Sequence, residues 1–262
     1  DSAIPDFVRQ WFDSLLPIML VIAGGWLIVQ VAGVDVAGAV QAVFMPLQSA
    51  LTSPVGFVFF CFLKCFIYSM GISTWVLTPV DEPVKLAVIT ANLELVAAGV
   101  ATYQNLGIFT ETFMFCTYLW IGGVGCTLSL CLLMMVICKS SELKALGRAC
   151  IVPGIFNINE PIIFGAIAWN PLLMLPMWIQ GIILPIVTYI FTKVIPFAPI
   201  PRIQFDLWYC PYPISTFIAT QGSITGVIFA ILTFVLSAVI WFPFVKAYDD
   251  QKVKEETAAI KA

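Results

Sequence analysis

The chain has 262 residues, of which 61% are hydrophobic and only 10% charged, with a mean hydropathy of +1.01. A water-soluble domain usually carries about 25% charged residues, so this surface belongs in lipid. The net charge of −3 and the complete lack of histidine exclude a nucleic-acid binder, histidine metal sites, Ser-His triads and phosphorylation on histidine. The residues call for no cofactor and no metal. Eight cysteines remain, and Cys61, Cys65, Cys116, Cys126 and Cys131 lie in apolar runs of helical length. There a free thiol behaves as a small hydrophobe, and no paired CxxC units suggest zinc. The chain opens on Asp1, with Asp6, Arg9 and Asp13 ahead of the first apolar run. That pattern is unlike a signal peptide, and a processed or excised piece is expected.

In chain order, six apolar runs are long enough to cross a bilayer as helices. They are Leu15–Ala32, Val55–Ile72, Leu86–Tyr103, Thr112–Ile137, Pro171–Phe191 and Ile214–Trp241. The third is the weakest, because it holds Asn92 and Glu94. Val36–Leu51, broken by Pro46, reads as interfacial, and Ile151–Trp169 reads as re-entrant. The fold class is therefore an all-α polytopic membrane protein, with about six spanning helices and re-entrant hairpins. It forms a single membrane domain over 1–262, with 1–14 leading in, 15–245 in the membrane and 246–262 as a tail. With the N-terminus inside, Arg9, Lys85, Lys139, Lys144, Arg148, Lys246, Lys252, Lys254 and Lys261 fall on the cytoplasmic side, against Lys193 and Arg202 outside.

Three polar clusters interrupt the apolar runs, and polar groups at membrane depth are functional candidates. Pro153 to Gly165 contains Asn157, Asn159, Glu160 and Pro161. The prolines and glycines predict a hairpin tip presenting two amides and a carboxylate, groups matched to vicinal sugar hydroxyls. Gly122, Gly123 and Gly125, followed by Thr127, predict either a broken helix or a close helix packing. Trp208 precedes Pro211 and Pro213, as an interface anchor or as a platform for a sugar ring. Lys64 falls in mid-span, where a buried carboxylate partner is expected, with Glu94 and Glu160 as candidates. Asp81-Glu82-Pro83 reads as a solvated turn. Lys139–Arg148 and Asp249–Glu256 read as ordinary cytoplasmic surface.

At Phe156-Asn157-Ile158-Asn159-Glu160-Pro161-Ile162-Ile163-Phe164-Gly165 the chain resembles a known family. This is the membrane permease, enzyme IIC, of the bacterial phosphoenolpyruvate-dependent sugar phosphotransferase system, of the lactose/cellobiose/diacetylchitobiose type. Other stretches fit in order: Ile4-Pro5 through Phe12 and Pro17, the GGxGxTL segment from Gly122 to Leu128, Trp208 with Pro211, Pro213 and Ile214, and Trp241-Phe242-Pro243-Phe244. The resemblance implies the family's substrate-binding half, a multi-pass protein of the bacterial cytoplasmic membrane that translocates a disaccharide. The preceding helices would belong to a missing N-terminal half, or the chain would pair as a homodimer. Phosphate would come from a separate phosphorylated enzyme IIB on the cytoplasmic face.

The same resemblance implies Glu160 and Ser73 as the residues at the hydroxyl that receives phosphate. Asn157, Asn159, Glu160, Gly123, Thr127 and Trp208 would bind the sugar. Ser73 stands where family members carry a histidine, within Gly71-Ile72-Ser73-Thr74. A serine has no useful pKa for taking a proton, so binding and translocation are better supported than efficient phosphorylation. The alternative function is a permease-like sugar sensor or membrane scaffold without phosphoryl transfer.

Overall fold

The computed structural model describes residues 6–35, 39 and 47–261, and every regular element among them is helical. By internal contacts the chain divides into two units, 1–46 and 47–262. In the first, the apolar run after Asp13 forms α1 (Asp6–Trp26), which loosens into a π-helical stretch over Leu27–Val31. Ile4, Pro5 and most of Val36–Leu51 lie outside the described residues.

The second unit holds the remaining helices. In α2 (Pro54–Ser69), Pro54 occupies the first turn and the Ser53 hydroxyl accepts from Gly56 N at 3.0 Å, both good helix starts. A 3₁₀ turn, Thr74–Leu77, leads into α3 (Thr78–Ala97), which begins eight residues before the expected apolar run at Leu86. Asp81 and Lys85 are buried in its first turns rather than solvated as a turn, and Glu82 between them is exposed. Asn92, which weakened this run on paper, is satisfied by reciprocal bonds to Gly107: its amide donates to the carbonyl at 2.8 Å and accepts from the N–H at 2.7 Å.

The expected span Thr112–Ile137 is not one helix. It is α4 (Glu111–Cys116), an irregular segment, and α5 (Leu128–Val136). Gly122, Gly123, Gly125 and Cys126 all have positive φ, which no helix tolerates in succession. Then follow α6 (Ser141–Ile155), the short α7 (Glu160–Ile162) with a π-helical continuation over Ile163–Ile167, and α8 (Pro171–Tyr189) with another over Ile190–Val194. The last expected span is also broken, into α9 (Ile214–Ala219) and α10 (Ile224–Lys261), with Gln221 and Gly222 left-handed between them. Among the described residues, three helices are long and apolar enough to cross a membrane: Asp13–Val31, Pro171–Val194 and Ile224–Ala259.

In the second unit α2 packs on α8, α5 on α6, and α10 on both α8 and α5. Phe57, Phe60, Phe109, Phe113, Tyr118 and Trp120 fill its interior. Apolar side chains gain little from each other over lipid tails, so buried polar contacts supply part of the cohesion. The Gln180 amide on α8 donates to the Ser237 hydroxyl on α10 at 2.9 Å. The Ser237 and Ser129 hydroxyls lie 2.8 Å apart and both within reach of Cys126 O, so that one donates to that carbonyl and the other to its neighbour. This network pins the glycine segment between three helices.

Residues that the charge pattern puts on one side meet one another. Lys193 Nζ donates to Gln104 O at 2.8 Å. At the other set, Asp249 accepts from Lys139 N and Ser140 N at 2.8 Å, and Glu256 accepts from Ser140 Oγ at 2.7 Å and Glu142 N at 3.0 Å. The end of α10 is thus a clamp on the start of α6 rather than ordinary surface.

Candidate functional site

Three irregular segments converge because each is stitched to the next by an asparagine. The hairpin between α6 and α7 turns at Asn157, whose left-handed φ of 60° suits Asn better than most residues. Its carbonyl oxygen accepts from Gly122 N at 2.7 Å, and its amide donates to Trp208 O. Two residues on, the Asn159 amide donates to Val124 O at 2.9 Å, and its oxygen accepts from the Tyr68 hydroxyl at 3.3 Å. Both amides are buried. The expected hairpin tip therefore does not simply present them to a ligand; each has one donor and one acceptor engaged in holding loops together.

Gly123 shows why the glycine segment must be glycine. A Cβ there would meet the Asn159 side chain at 2.4 Å, and φ is +94°. The segment is a helix break with a close approach to the hairpin, not a seam between two packed helices. Thr127 is buried and donates to Gly122 O at 2.6 Å, which closes the turn on itself. It does not line the cavity that the other residues surround.

That cavity holds about 650 Å³ of space between atoms, counting its mouth. One wall is the converged segments: Gly123, Val124, Asn157, Asn159, Glu160 and Trp208. The rest of the lining is Lys64, Tyr68, Glu82, Lys85, Glu111 and Phe115, with Thr74, Trp75 and Thr78 at the 3₁₀ turn. Glu160 is exposed, lies beside the Tyr68 hydroxyl and forms no ion pair among the described residues. Trp208 is half-buried, with its ring edge-on to Tyr209 at 5.5 Å between centroids. Ser73 is the cap of the 3₁₀ turn, accepting from Trp75 N at 3.4 Å; its neighbours Thr74 and Trp75 line the cavity and Ser73 itself does not.

This charged part of the lining was largely missed from sequence. Lys64 pairs with neither Glu94 nor Glu160 but with Asp81, at 2.7 Å. Lys85, expected in a cytoplasmic segment, is buried and lies 2.6 Å from Glu111, 2.9 Å from Glu82 and 3.3 Å from Asp81. The available signal was the i, i+4 spacing of Asp81 and Lys85, which puts both on one helix face if the helix starts at Thr78.

The arrangement defines a class: an all-α membrane protein with broken helices around a polar cavity, the kind of site that irregular backbone at membrane depth builds. Comparison with known proteins gives the family. The model for the phosphotransferase system EIIC family matches residues 1–181, and the chain belongs to that family. It is 33% identical over 261 residues to the lactose-specific EIICB component of the phosphotransferase system of Lactococcus lactis subsp. lactis, covering 97% of this chain and 44% of that protein. It is 32% identical over 264 residues to the cellobiose-specific EIIC component of Geobacillus stearothermophilus, covering 98% and 58%. The crystal structure of the transporter ChbC, the IIC component from the N,N'-diacetylchitobiose-specific phosphotransferase system, superposes with a TM-score of 0.76. Identity to it is 31%, over 98% of this chain and 60% of that one. The chain thus spans about half the length of the curated relatives it matches.

Proposed function

We propose that this chain is the sugar-binding part of a phosphotransferase-system permease, which takes a disaccharide into the cavity and passes it across the bacterial cytoplasmic membrane. The observation that carries this is the cavity itself. In a protein with 10% charged residues, a Glu160 carboxylate without an ion pair among the described residues, a half-buried Trp208 and two asparagines meet around one space. Carboxylates accept from sugar hydroxyls, and an indole face covers the apolar face of a ring. The relatives of known name act on lactose, cellobiose and diacetylchitobiose, which supports a disaccharide over a monosaccharide.

Phosphate comes from a phosphocysteine of enzyme IIB on the cytoplasmic face. The sulfur–phosphorus bond breaks, an oxygen–phosphorus bond forms on a sugar hydroxyl, and that hydroxyl's proton goes to Glu160. Ser73 can orient the hydroxyl but cannot take its proton at neutral pH, so Glu160 is the one base of the pair.

The test is calorimetric binding of cellobiose, lactose and N,N'-diacetylchitobiose to the purified chain and to Glu160→Gln. At least one sugar should bind, and the variant should bind it more weakly by about 1–3 kcal/mol, the value of a charged hydrogen bond. Equal affinities remove Glu160 from the site. Binding without any IIB-dependent phosphorylation points instead to the sensor reading, which the serine at position 73 favours.

A further inference from the structure

The lining around Lys64 and Lys85 has its own chemistry. Lys85 is the more heavily engaged cation: its ammonium donates to Glu111 at 2.6 Å and to Glu82 at 2.9 Å, and lies 3.3 Å from Asp81. Lys64 is different. It is 4% exposed, lines the cavity, and has one partner among the described residues, Asp81 at 2.7 Å. Asp81 is wholly buried behind it and does not line the cavity. The ammonium sits 5.3 Å from the centroid of Phe60 and 5.5 Å from that of Phe115, which holds the head in place while leaving donors unspent.

Beside it, Glu111 and Glu82 each bind Lys85 through one carboxylate oxygen, Oε2. Their other oxygens are engaged by no hydrogen bond among the described residues. This part of the lining therefore offers donors from Lys64 and acceptors from two carboxylates within one concave surface. A sugar hydroxyl both donates and accepts, so such a surface matches a vicinal pair. It does not suit an anion, because three carboxylates (Glu82, Glu111 and Glu160) line the cavity with two ammonium groups, and Asp81 lies behind Lys64.

We infer that Lys64, which shares the cavity lining with Glu82 and Glu111, reads hydroxyls of the neutral sugar that Glu160 also meets, and so sets which disaccharide is accepted. This rests on the reading of the cavity as a sugar site and adds the residues that determine specificity. Asp81 is a positioning residue. It fixes the ammonium from behind and does not touch the ligand.

The experiment is a cycle of protein and ligand changes. Cellobiose, lactose and N,N'-diacetylchitobiose, each with its monodeoxy analogues, are titrated into the wild-type chain and into Lys64→Met/Asp81→Asn. The double change avoids leaving Asp81 buried and unpaired. If the inference holds, at least one deoxy analogue binds the wild type about tenfold more weakly than its parent. The double variant binds the parent about tenfold more weakly, and then loses nothing further with that analogue. If the ion pair only braces α2 on α3, thermal stability falls and the losses multiply for every analogue, which overturns the inference. Lys64→Gln, which keeps volume and an N–H donor, takes the same cycle if the double variant does not fold. Failure of all three parent sugars to bind the wild type overturns the cavity reading and this inference with it. Binding with multiplying losses overturns this inference alone.

Discussion

Replacing Asn157 by alanine should loosen the whole binding wall, because that one side chain joins three segments. Two hydrogen bonds are lost, from Gly122 N and to Trp208 O. At about 1 kcal/mol each they account for about 2 kcal/mol, and leaving buried backbone groups unpaired adds about 1–3 kcal/mol more. The backbone there has φ 60°, and alanine tolerates it less well than asparagine by about 1 kcal/mol. The expected loss is about 4–6 kcal/mol, a severe change for a single substitution. Asn157→Gly loses the same bonds but not the conformational term, so it should be less destabilised than Asn157→Ala by about 1 kcal/mol. The assay is unfolding in detergent followed by intrinsic fluorescence, with Trp208 as the local reporter and sugar affinity measured in parallel. Unchanged stability in Asn157→Ala, or a glycine variant as unstable as the alanine one, would refute the role given to this side chain.

Other outcomes follow from the same geometry. Trp208→Ala should lower sugar affinity by about 1–2 kcal/mol and Trp208→Phe by less; equal affinities with lowered stability of the sugar-free protein would mark a membrane anchor instead. Ser73→His should raise sugar phosphorylation in vesicles supplied with phosphorylated enzyme IIB, by up to the roughly 10²–10⁴-fold that a general base contributes. No gain with docking intact would mean that this position is remote from the reacting hydroxyl. In a cysteine-free background, Gln104→Cys should react with an impermeant thiol reagent in intact cells while Glu142→Cys should not. The reverse pattern would invert the orientation and move the proposed docking face.

The sequence by itself was enough for the solvent, the fold class and the family. Lipid follows from composition, since 10% charged residues cannot hydrate a surface of this size. The hairpin at Asn157 to Pro161 and the glycine segment were legible because proline and glycine act through the local backbone. Their effect depends on no distant partner. What only the tertiary structure decided was which distant groups meet. Asp81 looked like a solvated turn because a carboxylate beside a proline usually is one; burial became possible only when α3 brought it within 2.7 Å of Lys64 on α2. The amides of Asn157 and Asn159 looked free because their partners are backbone groups 35 residues away, and a backbone N–H has no signature in sequence. The run Thr112–Ile137 scored as one span because hydropathy counts side chains, whereas the break lies in the φ angles of Gly122, Gly123 and Gly125. Those angles persist because the Asn157 and Asn159 amides satisfy the backbone that a helix would otherwise have satisfied internally.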